Sequence, residues 1–191
     1  MYRVIHQTGT AASPRAPMAR LPYADTTPPE IQPLVQRIVA ERGSVLHLYQ
    51  MLLHSPPLAE GWLAFFTAVR QRLQLPGDLR ELVIMRVALL NGAPYEAEQH
   101  APIALREGLT RAQLDALAQW ADSPLFDAKQ RAVLRLTDAV TREIHFDDAL
   151  LQDARTHLGE RQCVELVATI AGYNLVSRFL EALQIHSHDA R

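Results

Sequence analysis

The sequence predicts an all-α protein, a compact multi-helix bundle. Three observations predict it. No stretch shows strict apolar–polar alternation, so there is no period-two signal for a strand. Apolar residues recur instead at helical spacing between recognisable start and stop signals. The breaks between these segments are short, as in helical bundles. On this pattern about eight or nine helices are expected.

The first 29 residues stand apart. Pro14, Pro17, Pro22, Pro28 and Pro29 resist both helix and sheet interior, which predicts an extended arm over 1–29 that can drape over a neighbouring subunit. A single helical domain is expected over 30–185, followed by a short tail, 186–191. Ile31 to Glu41 reads as a helix ending near Gly43, and Val45 to Leu53 as a second one. Ser55 at an N-cap with Pro56 behind it opens a third helix, reaching to about Gln74. Its aromatic cluster, Trp62, Phe65 and Phe66, reads as core rather than ligand pocket.

Leu75-Pro76-Gly77 breaks the chain before a helix over Leu79 to Leu90. That helix is apolar almost all round, with Arg80, Glu81 and Arg86 as exceptions, which predicts burial in a core or a subunit interface. Asp78 followed three residues later by Glu81 has capping-box spacing. Asn91-Gly92 stops the helix and Pro94 starts the next, which runs to Glu107 before Gly108. Pro102 should bend that second helix just beyond His100. Thr110 with Gln113 caps a helix through Trp120. Asp127 to Ile144 is strongly amphipathic, residues 147–158 form a further helix closed by Gly159, and the last helix spans about Glu160 to Gln184. The Glu-Leu-Val triplet at 81–83 and 165–167 hints at an internal duplication.

Bulk properties narrow the function. The chain has 191 residues, 48% hydrophobic and 21% charged, as for an ordinary soluble domain. A formal charge of −2 with scattered basic residues argues against a nucleic-acid or membrane-surface partner. No 18-residue apolar run marks a membrane span and no signal-peptide core is evident, so a cytoplasmic location is the expectation. The single cysteine, Cys163, precludes an intrachain disulfide and reads as a buried core residue. There is no HExxH, no paired CxxC and no Gly-rich phosphate loop, so no metal and no cofactor is expected. His186, His188 and Asp189 fall in what reads as a frayed C-terminus, and His47 and His54 read as ordinary core or surface histidines.

Glu96 and His100 lie four residues apart, hence on one helix face. A carboxylate beside an imidazole can fix its tautomer and raise its basicity, giving an acid/base pair near neutral pH. The bland alternative is a surface ion pair. Tyr95 is placed to donate to a substrate oxygen. Arg86, charged within an apolar helix, must be paired or reach solvent, and its fork suits a substrate carboxylate or a structural partner. Asn174, with Tyr173 and Arg178, interrupts the last apolar helix and needs partners, either within the helix packing or in a pocket.

The run RELVIMRVALLNG, then YEAEQHAPIA and REGL, with ERQCVELVATIAGYNLVSRFLEAL near the end, resembles the carboxymuconolactone decarboxylase family, which includes alkylhydroperoxidase D and its relatives. The resemblance covers roughly residues 20–185 and implies the all-α fold of that family and a trimer or hexamer. The peroxidase branch carries Glu, eleven residues, Cys, two residues, Cys, three residues, His. In this sequence Glu81 and His100 hold the outer positions, while Ala93 and Glu96 replace the two cysteines. Thiolate chemistry needs a thiolate, so the resemblance implies the decarboxylase side of the family. His100, Glu96 and Glu81 are then the catalytic candidates, and Tyr95, Arg86 and Asn174 the substrate-binding ones. The implied activity is a cofactor-free lyase acting by proton transfer on a small organic acid, lactone or related carbonyl compound. Two alternatives stand beside it: a peroxidase-like oxidoreductase relying on Cys163, and a non-catalytic binding protein on the same fold.

Overall fold

The computed structural model describes residues 19–189. Eight α-helices follow in order: α1 (Gln32–Arg42), α2 (His47–Leu52), α3 (Pro56–Gln71), α4 (Gly77–Asn91), α5 (Pro94–Arg106), α6 (Arg111–Ala116), α7 (Ala128–Arg142) and α8 (Asp148–Leu183). Two 3-10 turns, Pro29–Ile31 and Leu117–Asp122, precede α1 and follow α6. No strand occurs among the described residues. Gly159 leaves helical geometry inside α8 at φ 74° and ψ 176°. That positive φ is costly for a side-chain-bearing residue, and it divides α8 where a glycine stop was expected.

The core forms around α4, which packs against α5, α7 and α8. Leu82, Val83, Ile84 and Val87 are fully enclosed. Most of the apolar side chains of this helix are thus buried within one chain, while Leu89 stays exposed. Gly92 adopts the left-handed conformation at φ 61°, and its N–H closes onto the carbonyls of Ala88 and Leu89. Ala93 and then Pro94 follow at once, folding α5 back on α4. Helix α5 continues through Pro102 to Arg106.

Four expectations need correction. Asp78 is not a cap: Pro76 occupies that position, no side-chain cap bond forms, and Asp78 lies within the first turn. Glu81 therefore closes no capping box, and its carboxyl is engaged elsewhere. The segment after Ala116 tightens into the 3-10 turn instead of continuing as α-helix through Trp120, and Gln119 leaves helical geometry at φ −123° and ψ 35°. The C-terminal residues are not frayed as far as Asp189, which is buried, accepts a hydrogen bond from the Tyr23 hydroxyl and accepts another from the His186 N–H at 3.1 Å. Finally, an 18-residue window in α8 is long and apolar enough to cross a membrane by length and composition alone, but 61% of it is buried inside the domain.

Of the expected arm, residues 1–18 lie outside the described residues. Residues 19–29 lie against their own chain. The Arg20 N–H donates to the Leu183 carbonyl at 2.8 Å, and the Tyr23 ring stacks on His47 with centroids 4.8 Å apart. His54 Nε2 donates to the Pro22 carbonyl at 2.7 Å.

Candidate active site

Helices α4 and α5 bring Glu81 and His100 together. Glu81 Oε2 lies 2.7 Å from His100 Nδ1, and both side chains are buried. An ionised carboxylate only accepts, so Nδ1 must carry the proton in this bond. In the neutral ring that leaves Nε2 as the basic nitrogen. The other Glu81 oxygen accepts from Arg80 Nε at 3.1 Å, and Arg80 Nη2 donates in turn to Glu107 Oε1 at 3.0 Å. Burial pushes the Glu81 carboxyl up. The hydrogen bond and charge of His100, with Arg80 beside it, outweigh that and hold it below its ordinary value.

Glu96 is on the opposite side of the ring. Its Oε2 stands 3.9 Å from His100 Nε2, beyond hydrogen-bond distance. That oxygen is buried and has no hydrogen-bond partner among the described residues. Burial raises the Glu96 carboxyl above its ordinary value, and the positive charges of His100 and Arg70 offset this only in part. One imidazole is therefore flanked by two glutamates shifted in opposite directions. Such a separation is how a site assigns base and acid roles to like groups.

Glu96 and His100 border a cavity of about 260 Å³, with Glu81 behind the ring and outside the cavity wall. Glu96, His100 and Tyr95 line it on the α5 side, Trp62, Phe66 and Arg70 on the α3 side, and Tyr173 on the α8 side. The edge of Tyr173 meets His100 at a centroid distance of 5.2 Å and an interplanar angle of 89°. Burial pushes the Tyr173 phenol far up, so it stays protonated. Trp62 and Phe66 are core residues, as expected, and also cavity wall.

Two of the six candidates lie elsewhere. Arg86 forks Asp138 with contacts of 2.6 and 2.7 Å and donates to the Leu117 carbonyl at 2.9 Å. It ties α4 to α7 and takes no part in the cavity wall. Asn174 donates to Thr141 Oγ1 at 3.1 Å and to the Ile170 carbonyl at 3.0 Å, and its oxygen accepts from Asn91 and Arg178. Its hydrogen-bonding capacity is spent on helix packing. Cys163 sits on α8 in a separate apolar groove with Leu151, Val164 and Val167, and burial pushes its thiol up. Among the described residues no group of three or more His, Cys, Asp or Glu side chains is arranged to hold a metal ion. Sequence reasoning did not single out Arg70 or Tyr173 for the site.

Residues 56–139 match the model of the carboxymuconolactone decarboxylase family. Over that span the chain is similar to the carboxymuconolactone decarboxylase family. The matched span contains α3 to most of α7 and so includes Glu81, Glu96 and His100. Among curated relatives, the uncharacterized protein YdfG of Bacillus subtilis (strain 168) is 28% identical over 106 residues, 54% of this chain and 72% of that protein. The uncharacterized protein YnjA of Escherichia coli (strain K12) is 32% identical over 127 residues, 65% of this chain and 66% of that protein. Solved structures share the fold. An uncharacterized peroxidase-related protein from Silicibacter sp. TM1040 superposes with a TM-score of 0.77 at 20% identity, covering 93% of this chain and 95% of that one. The debrominase Bmp8, in complex with 2,3,4-tribromopyrrole, gives a TM-score of 0.71 at 20% identity, covering 84% of this chain and 86% of that one. Proteins with different printed activities thus share this helical frame.

Proposed function

We propose that this protein is a cofactor-free enzyme that moves a proton on a small organic acid, lactone or related carbonyl compound, with decarboxylation as the nearest precedent. The observation that carries the reading is the buried 2.7 Å Glu81–His100 bond beside a cavity that also holds Glu96 and no thiol. Glu81 holds the Nδ1 proton and stabilises the imidazolium that forms when Nε2 takes a second proton. Glu96, whose carboxyl burial raises above its ordinary value, is the proton donor on the Nε2 side. In a decarboxylation the bond to the carboxyl carbon breaks, and its electron pair passes into an adjacent carbonyl. His100 or Glu96 then protonates the carbon left behind. A partly dry cavity favours loss of the carboxylate charge and shields the carbanion from bulk water.

The test begins with a thermal-stability screen of small carboxylic acids and lactones, since a ligand that binds only the fold stabilises it by mass action. Compounds that stabilise are then incubated in deuterium oxide. Deuterium incorporation at carbon or release of carbon dioxide, lost in His100→Ala, is the expected result. Turnover that survives His100→Ala overturns the reading. The peroxidase alternative has its own test: peroxide reduction by the wild type that is lost in Cys163→Ser would move the chemistry to α8. We also propose a homo-oligomer, a trimer or hexamer. Exposed apolar side chains on α3 and α8, Phe65, Val164 and Leu175, support it. A monomer by light scattering at micromolar concentration refutes it.

A further inference from the structure

Three arginines line the cavity, and among the described residues two of them, Arg70 and Arg106, make no hydrogen bond or ion pair; Arg106 is exposed. Arg42, at the same wall, is committed: Nε donates to Tyr49 Oη at 3.0 Å and Nη2 to Thr67 Oγ1 at 2.8 Å. Arg70 also lines the cavity and is half-buried, yet it makes no hydrogen bond or ion pair among the described residues. A guanidinium offers five N–H donors in a flat fork. None of its nitrogens is sealed from solvent, so they stay reachable from the cavity, and a carboxylate matches them two at a time. Arg70 lies close enough for its charge to be felt at Glu96, Tyr49 and Tyr173. The remaining wall is flat and aromatic, with Trp62, Phe66 and Tyr173 in edge and tilted contact around the floor.

Building on the reading of this cavity as a substrate site, we propose that Arg70 is its specificity-determining anchor. It binds a carboxylate on a flat, unsaturated or aromatic skeleton and presents the other end of that skeleton to His100. The cavity volume of about 260 Å³ accommodates a skeleton of one ring. Arg70 touches the substrate and takes no part in proton transfer.

The probe is benzoate, with benzamide as its neutral counterpart of the same shape and inorganic phosphate as a second anion, in chloride-free buffer. Affinities are read by calorimetry, without turnover. Wild type should bind benzoate about tenfold more tightly than benzamide, as a charge-assisted forked bond predicts. In Arg70→Gln that preference should vanish, through weaker benzoate binding with benzamide unchanged. Arg70→Lys, which keeps the charge and loses the fork, should fall between. Arg135→Gln removes a surface cation paired with Asp153 and should leave the preference intact. Circular dichroism confirms that each variant is folded, and if Arg70→Gln is not, Arg70→Lys decides alone. Equal binding of benzoate and benzamide to wild type, a preference that persists in the Arg70 variants, or tighter binding of phosphate than of benzoate each overturns the anchor. Because nothing is turned over, the result is independent of the proton chemistry: Arg70 can hold while His100→Ala leaves turnover intact, or the reverse.

Discussion

Helix α4 carries two buried polar clusters, and they are built on opposite terms. Toward its C-terminal end, Arg86 meets Asp138 and the Leu117 carbonyl, and Asn91 meets Asn174, which meets Thr141 and Arg178. Donors there are matched to acceptors. Toward its N-terminal end, Glu81 and His100 are matched on one side of the ring only. Beyond it, Glu96 Oε2 and the Arg70 guanidinium border a cavity with no hydrogen-bonding partner among the described residues. A closed network specifies packing. An open one keeps unspent capacity for something that comes and goes. Polarity inside a core is therefore a poor guide to a site, and incomplete satisfaction is a better one.

The strongest way to break this contrast is to cut each cluster and see what fails. His100→Ala should lower turnover of any confirmed substrate by about 10²–10⁴-fold, the range for a lost general acid or base. Its urea midpoint should fall as well, because the buried Glu81 carboxylate loses its main partner, so turnover is read on the folded fraction. Arg86→Leu should cost stability alone. It leaves Asp138 without its forked partner, which for a buried pair costs about 3–5 kcal/mol. Specific activity of the folded fraction should be unchanged. If Arg86→Leu impairs turnover at full stability, Arg86 belongs to the site and the contrast fails.

How much of this was legible in the sequence follows from the same geometry. Glu81, Glu96 and His100 could be found because a tight turn joins the two helices that carry them, and because four residues of spacing fix a shared face. For Arg86 the sequence left a substrate carboxylate and a structural partner both open, and the structure gives it the structural partner Asp138. Arg86 is five residues beyond Glu81, which on an α-helix turns it about 140° away. It faces α7 while Glu81 faces α5. Asn174 was left open for another reason: periodicity tells which residues share a face and not what that face meets. Arg70 and Tyr173 come from α3 and α8, remote in the chain, and only packing brings them to His100. The glycine stops at Gly92 and Gly159 were readable because a positive φ is a local demand. The Asp78 cap was not, since Pro76 sets the entry to α4 two residues earlier than the spacing suggests.

A smaller effect sharpens the matched side. Asn174→Ala removes one member from a network of four side chains and leaves Asn91 and Thr141 each short of a partner. The cost should be about 1–3 kcal/mol in denaturant midpoint, the range for stranding buried polar groups. Turnover should be spared. A neutral effect on stability would mean that these bonds are easily replaced and that closure of the network does not matter.

The smallest effect is the most specific, because its sign is unusual and depends on pH. Glu81 and Glu96 flank one imidazole and are shifted in opposite directions. Glu81 has a folded value below its ordinary 4.5, so it contributes stability at neutral pH that is lost as pH falls through that lower value. Glu96 has a folded value above 4.5. Its contribution is a cost, absent at pH below the unfolded value and fully present once pH exceeds the folded one. Glu96→Gln removes the ionisable group while keeping the shape. The variant should therefore unfold at higher urea concentration than wild type at pH 8, and the two should converge at pH 4. Glu81→Gln should show the opposite sign at pH 8, with the difference shrinking only as the medium becomes strongly acid. A Glu96→Gln protein no more stable than wild type at pH 8 would mean that Glu96 finds a partner when ionised. The open side of the ring would then be as closed as the Arg86 cluster, and the case for a proton donor there would fall with it.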